Sequence, residues 1–67
     1  MKPDERMKDY AKLWREAKSD FERERWRNKA IFAAVGLAGL VAQSGIKREM
    51  EKLRLIKVYE EATKVNP

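Results

Sequence analysis

A stretch of seventeen uncharged residues constrains this chain more than any other feature of its sequence. It covers residues 30–46 and reads AIFAAVGLAGLVAQSGI, although 40% of the 67 residues are charged. Basic residues stand on both sides of it, Arg27 and Lys29 before it and Lys47 and Arg48 after it. All 16 basic and 11 acidic residues of the chain lie outside it. This segregation of charge predicts that the segment lies in an apolar environment, whereas its flanks lie in water.

Residues 30–46 predict a single transmembrane helix. Seventeen residues at a rise of about 1.5 Å span roughly 25 Å, the short end of a bilayer core of about 30 Å. Lys29 and Lys47 extend this length, because their apolar stems can reach the interface. Trp26 lies one turn before the segment, where an interfacial aromatic residue is expected. The alternative is an alanine-rich helix inside a bundle, although the flanks offer few large apolar residues to surround it.

Small residues recur through the predicted span at helical spacing. Four alanines follow one another at intervals of four residues and so share one helix face. Small side chains allow transmembrane helices to approach closely. The sequence therefore predicts that the span packs against another protein helix through Ala30, Ala34, Gly36, Ala38, Gly39 and Ala42.

Amphipathic helices are predicted on both sides of the span. Apolar residues recur there every three or four positions, with charged residues between them. Ser19 and Glu22 have the spacing of a capping box, which predicts a helix start near residue 20. The predicted fold is all-α without an independent globular core. Its segments are an amphipathic surface helix (1–18), a basic helical lead-in (19–29), a transmembrane helix (30–46) and a basic amphipathic helix with a tail (47–67).

The amphipathic flanks also supply the candidate contact residues. The apolar residues predicted to lie on a partner protein or on the membrane surface are Met7, Tyr10, Trp14, Phe21, Trp26, Met50, Leu53, Ile56 and Tyr59. The basic residues predicted to contact lipid headgroups are Arg27, Lys29, Lys47 and Arg48.

Composition argues against catalysis. The chain has neither Cys nor His, so it lacks the thiolate nucleophile, the common metal ligands and the usual proton-transfer group near neutral pH. We expect no enzymatic activity, no metal and no cofactor, while a bound phospholipid is left open. Acidic residues are interleaved with basic ones in residues 1–29, whose 10 basic and 7 acidic residues leave a net charge of only +3, which argues against nucleic acid as a partner.

The arrangement of charged helix, single span and basic trailing helix resembles the small accessory subunits of mitochondrial respiratory complexes and of ATP synthase. The resemblance covers the whole chain but is one of plan, without a diagnostic motif. It implies a non-catalytic role in assembling and stabilising a membrane energy-conversion complex, a respiratory-chain complex first and ATP synthase next. It also implies the mitochondrial inner membrane as location, with other subunits and anionic lipid as partners.

Sidedness and two other functions stay open. Basic residues are almost equally numerous on the two sides of the span, so the positive-inside rule gives only a weak preference for the N-terminus on the matrix or cytoplasmic side. One alternative function is a free-standing small membrane regulator or membrane-active peptide. The other is a soluble basic helical interaction module.

Overall fold

A computed structural model describes residues 2–64 as a bundle of three helices. Helix α1 is Pro3–Glu16, α2 is Asp20–Val41 and α3 is Gly45–Thr63. Each helix packs against both of the others. The last three residues of the predicted tail lie outside the described residues.

The first two helices begin where local chemistry favours a start. Pro3 lies in the first turn of α1 and is followed by Asp4 and Glu5, whose charges suit the positive end of the helix dipole. Ser19 caps α2, because its Oγ accepts a hydrogen bond of 3.2 Å from the backbone N–H of Glu22. The Glu22 carboxylate in turn accepts one of 3.0 Å from the N–H of Lys18. The helix start predicted near residue 20 is therefore confirmed.

A turn over residues 42–44 divides the uncharged stretch between two helices. Helix α2 ends at Val41, and Ser44 caps α3 by accepting a hydrogen bond of 3.2 Å from the N–H of Lys47. No basic residue lies in the last turn of α2. Instead the Arg48 Nε donates a bond of 3.0 Å to the carbonyl of Ala42, which brings a cation to the negative end of the helix.

The predicted transmembrane helix over residues 30–46 is contradicted. Within α2 the uncharged part runs only over residues 30–41, roughly 18 Å of helix, and the first half of α2 is highly charged. No helix within residues 2–64 has both the length and the apolar character that a bilayer crossing requires. The predictions of a single-pass integral membrane protein and of a mitochondrial inner-membrane location are therefore not supported.

The bundle has a core of its own, so the prediction of a chain without one is also wrong, although the all-α class is correct. The core joins buried residues from all three helices: Met7, Ala11, Ala30, Ala34, Leu55 and Tyr59. Met7 and Leu55 are the largest side chains that are fully buried. Helix α2 contributes alanines only, so small side chains allow its neighbours to approach it closely.

Tyr59 is the polar member of this core. Its side chain is buried, and its hydroxyl has no hydrogen-bond partner. Burial raises the pKa of Tyr59, and the nearby positive charge of Arg27 lowers it by a smaller amount. The hydroxyl is therefore kept in its neutral form and adds no bond to the core.

Candidate functional site

Aromatic side chains mark the place where α1 packs against α2. The rings of Tyr10 and Trp26 lie with their centroids 6.4 Å apart at an angle of 48°, which is a favourable tilted arrangement. Both side chains are partly buried. They form the centre of an open groove between the two helices.

Two adjoining cavities make up this groove, which we call the α1–α2 groove. The first, of about 440 Å³, is lined by Arg6, Tyr10, Lys29, Phe32, Ala33, Gly36 and Leu37. The second, of about 480 Å³, is lined by Arg6, Asp9, Tyr10, Leu13 and Trp26. Arg6 and Tyr10 line both cavities, so the two adjoin at these side chains.

Helical spacing explains why these residues share the groove. On α1, Arg6, Tyr10 and Leu13 stand at positions i, i+4 and i+7, which places them along one face. On α2, Trp26, Lys29, Ala33, Gly36 and Leu37 follow one another at steps of three or four residues, with one step of a single residue at the end. Each set is one edge of its helix, and the packing of α1 against α2 brings the two edges side by side.

The groove carries an excess of positive charge. Arg6 and Lys29 are exposed, and neither makes an ion pair within 4.0 Å in the described part of the chain. The Lys29 Nζ lies 4.9 Å from the centroid of the Trp26 ring, within the range of a cation–π contact. Asp9 is the acidic residue of the lining and belongs to the Leu13 end.

Bulky apolar side chains of α2 point away from the core, next to the groove. Phe32 is 77% exposed and Leu40 is 83% exposed, and Val35 between them is also exposed. Their spacing places them on the face opposite the buried alanines. We call Phe32, Val35 and Leu40 the outer face of α2.

Two glycines lie among these residues without an internal reason to be glycine. A Cβ placed on Gly36 or Gly39 meets no other atom within 4 Å, and neither residue has a positive φ. A glycine within a helix costs about 1 kcal/mol relative to alanine. Nothing inside the described chain offsets this cost.

The residues predicted for helix packing divide into an inner and an outer set. Ala30, Ala34 and Ala38 are buried, the first two in the core formed with α1 and α3. Ala42 is partly buried in the turn, and Gly36 and Gly39 are exposed. The alanines thus pack against helices of the same chain, whereas the glycines remain on the surface.

The residues predicted to form a partner or membrane-surface stripe are also distributed over several environments. Met7 and Tyr59 are buried in the core. Tyr10, Trp14, Trp26 and Ile56 are partly buried, and Phe21, Met50 and Leu53 are exposed. Trp14 lies beneath the guanidinium of Arg23, whose Cζ is 5.5 Å from the ring centroid.

The four basic residues predicted to contact lipid headgroups are all exposed. They do not form one cluster of unengaged cations: Arg48 bonds to the carbonyl of Ala42, and Lys29 lies over Trp26. Their contact with lipid headgroups stays a prediction.

An ion-pair cluster between α1 and α3 was not predicted from the sequence. Arg54 binds the carboxylates of both Asp4 and Glu51, and its hydrogen bonds hold the pKa of each carboxyl below its ordinary value. The same two acids raise the pKa of Arg54. Fifty residues separate Asp4 from Arg54, so no local pattern could have indicated this pair.

The described part of the structure offers no acidic cluster that could hold a metal ion. Residues 2–64 contain no group of three or more acidic, Cys or His side chains placed to hold a metal ion. No protein-family model, curated protein or solved structure matches the chain. The α1–α2 groove and the outer face of α2 together form the candidate binding surface.

Proposed function

We propose that this chain is a non-catalytic helical interaction module that binds another protein through the outer face of α2. The observation that carries the proposal is the exposure of Phe32 beside Val35 and Leu40, on the same helix whose alanines are turned inward. This arrangement leaves Phe32, the largest side chain of the uncharged stretch, mostly in water, together with Leu40. Large apolar side chains exposed near one another on a single face are typical of protein interaction sites.

The surroundings of this face support binding rather than chance exposure. Phe32 lines the α1–α2 groove, so the outer face continues into a concave surface. Gly36 also lines the groove, and the open space above its Cβ position leaves room for an approaching backbone. A projecting aromatic beside a shallow depression resembles the anchor-and-pocket pattern that dominates protein interfaces.

This proposal replaces the role expected from the resemblance to accessory subunits. That role as a subunit of a membrane energy-conversion complex was argued from a membrane span, and residues 2–64 contain none. The proposal corresponds to the interaction module that the sequence left open as an alternative.

Site-specific photocrosslinking in the native cell tests the proposal. A benzophenone amino acid replaces Phe32 in one variant and Glu60, an exposed residue of α3, in a control variant. We expect a defined protein adduct from position 32 that position 60 does not give. The adduct partner, once purified, should bind the unmodified chain and bind Phe32→Glu at least tenfold more weakly. Identical adducts from both positions, or equal affinity of Phe32→Glu, would contradict the proposal.

A further inference from the structure

We infer that the partner segment bound in the α1–α2 groove is an acidic amphipathic helix. This inference rests on the proposed function and specifies the chemistry of the partner. The groove combines an apolar and aromatic lining with exposed cations, and a helix with one apolar face flanked by carboxylates is complementary to both.

The length of the groove matches a short helix. Its α2 edge extends from Trp26 to Leu37, which at about 1.5 Å per residue is roughly 16 Å, or three turns. A bound helix of about eleven residues would lie along it and contact Tyr10, Leu13 and Leu37 through side chains spaced three and four residues apart. Three turns are enough for two or three apolar anchors.

The charges of the groove select acidic residues on the partner. Arg6 and Lys29 make no ion pair within residues 2–64. Lys29 lies over the Trp26 ring but stays exposed, so its ammonium group can bind a carboxylate without leaving that ring. Arg6 and Lys29 both line the cavity that also contains Gly36, which places the acidic positions of the partner at that end. Asp9 lies at the other end and would repel a carboxylate there. The formal net charge of +5 further favours encounter with an acidic segment.

The shape of the site favours a helix over a second copy or a lipid surface. A second copy carries the same net charge of +5, and its Arg6 and Lys29 would add repulsion. A bilayer presents a broad surface, whereas this site is a concave groove between two helices. At Gly36 the open space lets a helix backbone approach more closely than a side chain there would allow.

Designed peptides test the inference directly. Two 14-residue helical peptides have the same Leu and Ala face and lack Trp and Tyr; one has Glu at its flanking positions and the other has Lys. The protein is the full chain with Trp14→Phe, so that emission from Trp26 in the groove reports binding. We expect the Glu peptide to bind at least tenfold more tightly than the Lys peptide, with an affinity that falls as salt concentration rises.

Matched charge reversals identify the binding surface. Lys29→Glu should weaken binding of the Glu peptide at least tenfold. Lys57→Glu makes the same change at an exposed residue of α3 and should leave the affinity for this peptide within a factor of two. Circular dichroism of both variants verifies that they remain helical. If the two reversals weaken binding equally, or if the two peptides bind equally or not at all, the inference is wrong.

Anionic vesicles test whether the groove binds a lipid surface instead of an acidic helix. Vesicles of three parts phosphatidylcholine to one part phosphatidylserine should leave Trp26 emission unchanged. If the vesicles shift Trp26 emission to the blue and the peptides do not bind, the groove binds a lipid surface and the inference is wrong. If the peptides fail but crosslinking at position 32 still gives a partner that needs Phe32, only the acidic-helix inference fails. If both fail, the proposed binding function fails as well.

Discussion

The guanidinium of Arg54 in α3 donates two parallel hydrogen bonds to the carboxylate of Asp4 in α1. Its Nη1 lies 2.9 Å from Oδ2 and its Nη2 lies 2.8 Å from Oδ1. Both side chains are nearly half exposed, so solvent screens the pair and limits what it contributes. The pair nevertheless ties the first turn of the chain to its last helix.

Removing the charge of Asp4 should lower stability at neutral pH and have no effect in acid. The pKa of Asp4 is lowered in the folded state, so its contribution is present above its unfolded pKa of about 4 and is lost as pH falls through the folded value. We expect Asp4→Asn to lower the free energy of unfolding by less than about 1 kcal/mol at pH 7. Urea unfolding at pH 7 and pH 2 measures this.

Glu5→Gln is the matched control for that measurement, because Glu5 is exposed, lies in the same helical turn and makes no ion pair in the described part of the chain. Both substitutions remove one negative charge near the start of α1. An equal loss in the two variants would show that the helix dipole, and not Arg54, accounts for the effect.

Enlarging a core alanine should destabilise the bundle. Ala34 is fully buried between α1 and α3, so Ala34→Leu forces extra volume into a closed space at a cost of about 1–3 kcal/mol. Val35→Leu, one residue further on the exposed face, should change stability by less than about 0.5 kcal/mol. Thermal or urea unfolding compares the two, and equal stabilities would show that α2 is not packed through its alanines.

Removing the hydroxyl of Tyr59 should not weaken the core. This hydroxyl is buried and has no partner, so the folded state already lacks the bonds that water supplies to the unfolded chain. We expect Tyr59→Phe to leave the free energy of unfolding unchanged or to raise it by up to about 1 kcal/mol. A loss greater than this would reveal that the hydroxyl has a bonding partner.

Tyr59 should also make the bundle sensitive to alkali. Its pKa is raised in the folded state, so its contribution is complete below the unfolded pKa of about 10 and is lost as pH rises through the folded value. Unfolding between pH 8 and pH 11.5 should show a decline in stability that Tyr59→Phe reduces. Tyr10→Phe serves as the comparison, and the same decline in Tyr59→Phe as in the unchanged chain would argue against this assignment.

Replacing Gly39 by alanine should stabilise the protein. The residue lies in the last turns of α2 with open space around its Cβ position, so alanine adds helix propensity without a clash. We expect a gain of about 0.5–1 kcal/mol in the free energy of unfolding. A loss of stability would mean that the surface of α2 is more crowded at this position than its open surroundings indicate.

Local patterns predicted the helices better than they predicted their assembly. The apolar spacing of α1 and the Ser19 cap are encoded within a few residues, so the sequence predicts both. The sequence does not indicate the turn over residues 42–44, because Ser44 is followed at the third position by Lys47 and not by the acidic residue of a capping box. Without that break, residues 30–46 read as one continuous helix.

The burial of α2 could not be derived from its own composition. Ala34 and Phe32 both belong to an apolar stretch, and hydropathy alone would bury the phenylalanine first. The bundle buries the alanine, since small side chains allow three short helices to pack together. The α1–α2 groove depends on this assembly as well, because Arg6 and Lys29 meet only when α1 lies beside α2.

A core built largely from alanine has a thermal consequence. Heat-capacity change on unfolding scales with the apolar surface that becomes hydrated, and an average chain of this length gives about 0.8 kcal/mol/K. Here Met7 and Leu55 are the largest fully buried side chains, while Phe32 and Leu40 are largely hydrated already in the folded state. We expect calorimetry of this bundle to show a smaller heat-capacity step, a low melting enthalpy and a transition spread over a wide range of temperature.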